Sequence, residues 1–343
     1  MMQEYFKFID EAVQGLAILQ QLDQVNYRYN PRTCVYQKDK IKLYHYQHQT
    51  KKICKIPLLI VFSTVNRPEI LDLLPEQSLI GELLRQGMDI YLLDWGYPDQ
   101  NDKNIYFNKY ITEYLHQCVQ YIIKNSKQEQ ISLLGVCQGG IICLCYATLF
   151  SYIKNLILIS TPINFHTKNN IVSKFIQKIE TNDIGKIDSN ISGNILTQFF
   201  ISLRPFELLG KKYLKMMENI SDKSWIDKFL LIEKWLHDAP DQPNKAFVDF
   251  VNDYYQENKL IHKKISVDGH LIDLSQINLP VLNIMAKEDQ LVPMSASKAL
   301  KKYIHPQYYS TLLLEGGHIG IYVSKKHCQH LTSSITKWLS NKS

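Results

Sequence analysis

Short apolar runs alternate with amphipathic stretches along most of the chain, and this alternation predicts its secondary structure. Between residues 55 and 160, four mainly apolar runs have the length of strands that are buried on both faces of a sheet. These runs are Ile56–Phe62, Asp89–Leu93, Ile131–Leu134 and Leu156–Ser160. Helical patterns at Leu79–Arg85 and over 107–125 lie between them. The alternation predicts a parallel, doubly wound sheet with right-handed crossovers.

Further elements are predicted on both sides of this region. Thr33–Gln37 and Ile41–Tyr46 are strand-like and are separated by a Lys-Asp-Lys turn, so we expect an antiparallel hairpin. The strand pattern returns at Leu279–Ala286 and at Tyr309–Leu314, and a helix is predicted over 321–340.

The alternation stops between residues 163 and 270, a segment that we call the insertion. Its first part is polar and its second part is helical and rich in aromatic residues. The insertion is either a lid over a site or a plain helical subdomain, and composition favours neither. The chain therefore divides into an N-terminal helical segment (1–32), a core (33–162 and 271–343) and the insertion (163–270).

The N-terminal segment carries an apolar stripe with helical spacing, formed by Phe6, Ile9, Val13 and Leu16. Its acidic residues and the lack of a small-residue cleavage site argue against a signal peptide. We expect an amphipathic helix whose stripe packs on the rest of the chain or on a partner.

The stretch Ile131–Phe150, ISLLGVCQGGIICLCYATLF, predicts a strand, a sharp turn at Cys137 and a helix. Gly135 and Gly139 flank Cys137, where a Cβ atom would push the strand and the helix apart. This is the form of a nucleophile elbow, with Cys in the usual place of Ser. One alternative is a membrane span, which the glycines and Gln138 disfavour. Another is a buried unit whose cysteine is only a small apolar residue.

Polar residues that a nucleophile needs follow the two late strands. Asp289 comes after Leu279–Ala286, and His318 comes after the next strand and a Gly-Gly turn. The order Cys137, Asp289, His318 is the nucleophile, acid, histidine order of α/β-hydrolase folds. Since ligands of parallel sheets bind beyond the carboxyl ends of the strands, we expect the three side chains to meet there. The predicted fold class is an α/β-hydrolase fold with a mostly parallel sheet and a helical cap insertion.

The chemistry of these residue types suggests their roles. A thiol is only slightly ionised at neutral pH, so His318 would take its proton while Asp289 fixes the imidazole tautomer. Alternatively, His318 and Asp289 would activate a substrate hydroxyl. The backbone N–H of Gln138 is the predicted oxyanion donor, together with one from the loop near Val65. A thiol exchanges with a thioester at little free-energy change, which suits transfer of an acyl group to a further acceptor.

The net charge and the spacing of the cysteines limit the ligands and the cell compartment that we expect for this protein. The formal net charge of +6 is mild, and the charges of both signs are interspersed, which argues against nucleic-acid binding. A modestly basic surface suits an anionic substrate such as an acyl-CoA, or an acidic protein partner. The seven cysteines have scattered spacings without a CxxC pair, so neither a disulfide framework nor a zinc site is expected. Reduced thiols in a cytoplasm fit this pattern.

Several stretches together resemble polyhydroxyalkanoate synthases. They are the box Gly135–Gly140, which matches the family's Gly-x-Cys-x-Gly-Gly, and residues 57–73, 89–102, 233–260, 273–293 and 315–320, in family order. The box combined with DWGYPDQ and the closing LPVLNI and GGH stretches is not a general hydrolase pattern. The short length and the KWLHDAPDQ segment most resemble the class III catalytic subunit, and class IV is the nearest alternative.

The resemblance implies polymerisation of (R)-3-hydroxyacyl-CoA of short chain length, such as 3-hydroxybutyryl-CoA, with release of CoA. It implies that Cys137 is the nucleophile that carries the growing polyester, that His318 activates it, and that Asp289 helps to activate the 3-hydroxyl group. No cofactor and no metal are implied, because the CoA thioester is the substrate. An accessory synthase subunit of the PhaE type, a homodimer and residence on cytoplasmic polyester granules are also implied.

Two other functions remain open from the residues alone. The same fold and thiol would suit a thiol-dependent esterase or thioesterase. The second alternative is not an enzyme. In it the chain is a catalytically inactive scaffold on the surface of the polyester granule. Asp94 in the DWGYP stretch either supports the site or is a structural turn carboxylate, and Trp235 is expected to pack within the insertion.

Overall fold

The fold is built on one central sheet of eight strands. The computed structural model describes residues 2–27, 30–48, 54–74, 77–203 and 206–342. The strand order in the sheet is β1-β2-β4-β3-β5-β6-β9-β10, and β7 and β8 form a separate small hairpin. The strands are β1 Arg32–Lys38, β2 Ile41–Tyr46, β3 Leu58–Val61, β4 Ile90–Asp94, β5 Ile131–Val136, β6 Ile153–Ile159, β7 Ser266–Val267, β8 His270–Leu271, β9 Val281–Ala286 and β10 Tyr309–Leu314.

The pairing of these strands confirms the predicted α/β architecture. Strands β4, β3, β5, β6, β9 and β10 run parallel to one another. The predicted hairpin is confirmed as β1 and β2, which pair antiparallel, and β2 also pairs antiparallel with β4. The predicted strand ends differ from the observed ones by at most three residues.

The apolar runs form strands because both faces of the sheet are covered. In β3, Leu58 and Ile60 belong to the apolar cluster on one face, whereas Leu59 and Val61 belong to the cluster on the other. All four side chains are fully buried, and burial of such a side chain contributes roughly 1.5–3 kcal/mol. Parallel strands of this kind therefore lack the alternation of apolar and polar residues that marks a half-exposed strand.

Helices cover the sheet and fill the segment between β6 and β9. They are α1 Met2–Leu19, α2 Leu79–Arg85, α3 Phe107–Lys109, α4 His116–Ser126, α5 Gln138–Leu149, α6 Ile171–Ile176, α7 Thr181–Ile184, α8 Gly193–Ser202, α9 Lys212–Glu218, α10 Lys223–His237, α11 Asn244–Phe250, α12 Met294–Lys298, α13 Gly320–Val323 and α14 Lys325–Ser340. The prediction over 107–125 is confirmed as α3 and α4 joined by the π-helical turn Tyr110–Leu115.

Helix α5 directly follows β5, so the apolar stretch around Cys137 is a strand and a 12-residue helix rather than one long helix. None of the helices in the described part of the chain combines the length and the apolar character that crossing a membrane requires.

The N-terminal helix does not use its apolar stripe to pack on the rest of the chain. Ile9, Val13 and Leu16 are exposed, so of the two predicted packing partners only another protein surface is left for these residues, and the side chain of Phe6 lies outside the described residues. The helix instead approaches α9 through Gly15, where an added Cβ would lie 2.8 Å from Met216. The small glycine allows this close contact, which the apolar spacing alone did not indicate.

Candidate active site

Cys137 occupies the sharp turn between β5 and α5. Its backbone has φ 53° and ψ −120°, a conformation that non-glycine residues rarely adopt and that costs about 1–3 kcal/mol. The surrounding chain holds it there. The Cys137 N–H donates to the Ile159 carbonyl at 2.9 Å, and the Cys137 carbonyl accepts from the Gly140 N–H at 3.0 Å. The elbow geometry expected from the sequence is therefore present.

Three glycines make room for this turn. A Cβ at Gly135 would lie 2.5 Å from the Cα of Gly140, so β5 and α5 would separate. A Cβ at Gly139 would lie 2.2 Å from the carbonyl oxygen of Val61, at the end of neighbouring β3. Gly140 has the same constraint, because its Cβ would overlap the side chain of Thr161 at 1.9 Å. The sequence prediction gave a mechanical reason only for Gly135 and Gly139.

Asp289 follows β9 and is fixed by the loop that contains it. One carboxylate oxygen, Oδ1, accepts the backbone N–H groups of Leu291 at 3.0 Å and Val292 at 2.8 Å. The other, Oδ2, lies 2.7 Å from Nδ1 of His318. The carboxylate side chain is completely shielded from solvent. Burial alone would raise the pKa of Asp289, but the charge and hydrogen bonds of His318 and the Val292 N–H lower it.

His318 bridges the acid and the thiol. Burial would lower the pKa of its imidazole, but the Asp289 carboxylate and the interaction with Cys137 outweigh burial and raise the pKa well above its usual value. Because Nδ1 faces Asp289, Nε2 is the nitrogen left to exchange a proton with the thiol. The structure thus brings the three predicted residues together at the carboxyl ends of β5, β9 and β10.

The two predicted oxyanion donors lie in the same cavity as Cys137. Gln138 begins α5, so its backbone N–H has no acceptor within the helix and is available to a ligand. The Val65 N–H donates to the hydroxyl oxygen of Ser63 at 3.2 Å. Val65 would have to exchange this bond before it could bind an oxyanion, so its role stays a prediction.

The side chain of Gln138 was not recognised from the sequence as a structural link. Its Oε1 accepts the Thr64 N–H at 3.0 Å and lies 2.7 Å from the Thr64 hydroxyl. It thereby fixes the segment that follows β3, residues 63–67, which we call the β3 loop. The elbow helix and the β3 loop are consequently held together by a side chain next to the nucleophile.

The insertion contacts the β3 loop through two polar side chains. Nε2 of Gln242 donates to the Thr64 carbonyl at 2.7 Å, and its Oε1 lies 2.8 Å from the Thr64 hydroxyl. Nε1 of Trp235, on α10, donates to the Arg67 carbonyl at 2.6 Å. Trp235 is buried, but it packs in the apolar cluster on one face of the sheet and not within the insertion as expected, and it also bonds to the loop. Both ends of the β3 loop are tied to the insertion.

Asp94 supports the loop rather than the reacting groups. The Arg67 guanidinium donates to both of its carboxylate oxygens, at 2.6 and 2.9 Å, and both side chains are buried. Asp94 also accepts the Gly96 N–H at 2.9 Å, as a turn carboxylate does. These contacts show that Asp94 has the structural role of the two that were considered. It supports the β3 loop by binding Arg67.

A cavity of about 400 Å³ opens beside the thiol. Cys137, His318 and Gln138 lie on its core side, and the insertion contributes Trp235 and Tyr255. A mainly apolar cavity of about 210 Å³ shares Gln138 and Tyr255 with it and extends among the helices of the insertion. The space next to the thiol is therefore suited to an apolar acyl group.

Cys137 differs from the other thiols in its surroundings. All seven cysteines are free, and Cys143 and Cys145 are fully buried on α5. Burial raises the pKa of Cys143 well above its usual value and that of Cys145 to about 12, which keeps both thiols protonated. Cys137 is only partly buried and lines the cavity. These differences agree with the prediction that Cys143 and Cys145 belong to the core.

Comparison with known proteins identifies the family. The family described as "alpha/beta hydrolase fold" matches residues 67–325, and "Poly-beta-hydroxybutyrate polymerase (PhaC) N-terminus" matches residues 25–82. The poly(3-hydroxyalkanoate) polymerase subunit PhaC of Thiocystis violacea is 40% identical over 99% of this chain and 97% of its own. The chain belongs to the poly(3-hydroxyalkanoate) polymerase family. The predicted resemblance is thus confirmed, and the chain is an enzyme of this family.

Other relatives and structures agree with this assignment. The PhaC subunit of Allochromatium vinosum is 38% identical over 99% of this chain and 97% of its own. An esterase from Thermogutta terrifontis has a TM-score of 0.55 at 12% identity and covers 91% of this chain and 99% of its own. MenH from S. aureus has a TM-score of 0.54 at 16% identity and covers 89% of this chain and 99% of its own. The two solved structures show the α/β-hydrolase fold alone.

Proposed function

We propose that this enzyme polymerises short-chain (R)-3-hydroxyacyl-CoA, such as 3-hydroxybutyryl-CoA, into polyester through an acyl-cysteine intermediate. The observation that carries the proposal is a cysteine on a nucleophile elbow beside an Asp289–His318 pair, in a chain of the polymerase family. A thiol suits this task because acyl exchange between two thioesters changes the free energy little. The stored acyl group then stays reactive toward a hydroxyl acceptor.

In the first step, His318 accepts the Cys137 proton and the thiolate attacks the thioester carbonyl. The carbonyl oxygen becomes an oxyanion, which the Gln138 N–H stabilises at the start of α5, where the helix dipole also favours negative charge. When the tetrahedral intermediate collapses, the bond to the CoA sulfur breaks and His318 returns the proton to it. The products are acyl-Cys137 and free CoA.

In the second step, His318 takes the proton of a 3-hydroxyl group, and the alkoxide oxygen attacks the acyl-Cys137 carbonyl. An ester bond forms, the bond to sulfur breaks, and the proton passes to the thiolate. We infer that Asp289 acts through His318 in both steps. Its Oδ2 is engaged by the imidazole and its side chain is shielded from solvent, which supports this indirect role over direct contact with the hydroxyl.

The proposal extends to the setting of the reaction. The mildly basic surface suits an anionic CoA ester, and the apolar cavity suits its acyl group. No cofactor enters either step, and we expect the enzyme to act in the cytoplasm at the polyester granule. A PhaE-type accessory subunit and a homodimer are part of the proposal, and exposed apolar residues such as Val13 and Phe206 support contacts with other surfaces.

Purified protein supplied with 3-hydroxybutyryl-CoA tests this function, with and without the accessory subunit. We expect CoA release matched by ester-linked polymer, measured by thiol assay and by size analysis of the product. Free 3-hydroxybutyrate without polymer would favour the thiol-dependent esterase or thioesterase. Normal polymer accumulation by Cys137→Ala in cells would favour the inactive scaffold.

A further inference from the structure

Two histidines and an aspartate meet at the edge of the sheet opposite Cys137. Asp89 immediately precedes β4, and His45 lies on β2, where it pairs with Tyr91 of β4. His48 follows two residues after the end of β2. The catalytic residues follow the carboxyl ends of the parallel strands, whereas this cluster lies at the amino end of β4. It is therefore separate from the active site.

The three ligand atoms lie close enough together to surround one metal ion. Nε2 of His45 lies 2.9 Å from Oδ1 of Asp89, and Nε2 of His48 lies 3.2 Å from the same oxygen. One ligand atom from each residue lies within 4.8 Å of the other two. In a tetrahedral site with bonds of about 2.0–2.2 Å, neighbouring ligand atoms are roughly 3.3 Å apart. A small outward movement of the rings would admit an ion.

His45 and Asp89 are already held in place by contacts outside the cluster. The His45 ring stacks on Tyr91 at 4.2 Å with an angle of 7° between the planes. The Asp89 carbonyl accepts the Leu58 N–H at 2.8 Å, which fixes the residue against β3. Nδ1 of His48 is buried and has no hydrogen-bond partner within the described ranges. Two of the three residues are thus preorganised, and the two Nε2 atoms converge on one carboxylate oxygen.

We propose that His45, His48 and Asp89 bind a divalent transition-metal ion of the zinc type. Two imidazoles and one carboxylate favour such an ion over Mg²⁺ or Ca²⁺, which prefer oxygen ligands. The ion would fasten the chain that leaves β2 to the start of β4, and solvent would supply its remaining ligand. An ion that binds the folded chain alone stabilises it in proportion to the logarithm of ion concentration. The cysteine spacings that argued against a zinc site gave no sign of these residues.

Metal binding to untagged, chelator-stripped protein tests the proposal, and Zn²⁺ is the probe. Cys137→Ala is the reference protein, since the catalytic thiol and His318 are themselves capable zinc ligands. His48→Ala and Asp89→Asn are added to this background, and His262→Ala, an exposed histidine elsewhere, is the matched control. Equilibrium dialysis gives stoichiometry and affinity, and thermal unfolding gives stability. The absorption spectrum of the Co²⁺ form shows whether a thiolate is a ligand.

We expect one Zn²⁺ per chain in the Cys137→Ala protein, a raised Tm and a Co²⁺ spectrum without a thiolate band. His48→Ala and Asp89→Asn should each weaken binding by at least about tenfold, whereas His262→Ala should leave it unchanged. Should Asp89→Asn fail to fold, His48→Ala decides alone, because its side chain is partly exposed. Loss of the bound ion on removal of Cys137, or equal affinity after removal of His48, would overturn the proposal.

Discussion

The sheet and the insertion hold their parts of the active site by different contacts. Strands β3, β4 and β5 are buried along their whole length and are surrounded by apolar side chains on both faces. The insertion also packs against these apolar clusters, for example through Phe250 and Leu231. It adds directional polar bonds to the β3 loop, from Gln242 to Thr64 and from Trp235 to Arg67. The first kind of contact fixes the reacting groups, and the second fixes the loop beside them.

This difference separates the residues that carry out the chemical steps from the contacts that only position the β3 loop. Cys137, Asp289 and His318 extend from strand ends that the core holds rigidly, so their replacement should remove a chemical step. The β3 loop has no strand pairing beyond Val61, and its position depends on polar bonds to Gln138, to Asp94 and to the insertion. Changes to these polar bonds should therefore alter the rate while leaving the chemistry possible.

The largest expected effect is that of Cys137→Ala. Removing the nucleophile should lower acyl transfer by roughly 10⁴-fold or more, as for other nucleophile–histidine pairs. Release of CoA from 3-hydroxybutyryl-CoA is the measurement. Cys143→Ala is the matched control on the same helix. It removes one buried sulfur from the core, so most activity should remain, with some loss of stability. An equal loss of CoA release in both variants would contradict the assignment of Cys137 as the nucleophile and of Cys143 as a core residue.

Asp289→Asn should come next, with a loss of about 10²–10⁴-fold. The amide cannot hold the imidazole in the same tautomer or balance its charge. Because Asp289 is proposed to act through His318, initial acylation and elongation should slow by the same factor. Pre-steady-state CoA release gives the first step, and polymer growth gives the second. A selective loss of elongation would mean that Asp289 itself serves the substrate hydroxyl.

Gln242→Ala tests the polar contact between the insertion and the β3 loop. Losing the bond to the Thr64 carbonyl should lower kcat by about five- to fiftyfold, because a loop beside the nucleophile becomes less well placed. Gln256→Ala is the control within the insertion. Gln256 Nε2 donates to the Ile179 carbonyl at 2.7 Å, and it makes no contact with the β3 loop among those described. Similar kcat losses in both would show that the insertion acts only through overall stability.

The smallest effect concerns the pH dependence of stability. The folded pKa of Asp289 is lowered, so its contribution is present above about pH 4 and is lost as pH falls through that lowered value. The folded pKa of His318 is raised, so its contribution is complete below about pH 6.5 and is lost as pH rises through the raised value. Wild type should therefore exceed Asp289→Asn in free energy of unfolding by about 2 kcal/mol near pH 5–6. Urea unfolding across pH measures this difference, and a pH-independent gap would contradict the assignment.

Much of the fold could be predicted because burial on both faces leaves a clear trace in the sequence. The runs that became β3 and β9, and the glycines around Cys137, each follow from a local requirement. Asp289 and His318 were found for a similar reason, since each lies within four residues of the end of a strand whose apolar run is easy to recognise.

The links across the insertion could not be predicted in this way. Gln242 and Thr64 are 178 residues apart, and a glutamine in a helical region carries no local sign of its partner. The contact of α1 with Met216 was not predicted because it is made at Gly15, which has no side chain and does not belong to the apolar stripe. Contacts that depend on tertiary geometry, and not on a local sequence pattern, could therefore be identified only from the structure.

Mapping the acylated residue tests the central claim most directly. Protein is mixed briefly with 3-hydroxybutyryl-CoA, quenched with acid, digested and analysed by mass spectrometry. We expect a 3-hydroxybutyryl group on Cys137 that hydroxylamine removes, as expected for a thioester. Polymer formation with the acyl group on another residue, and with Cys137 unmodified, would contradict it.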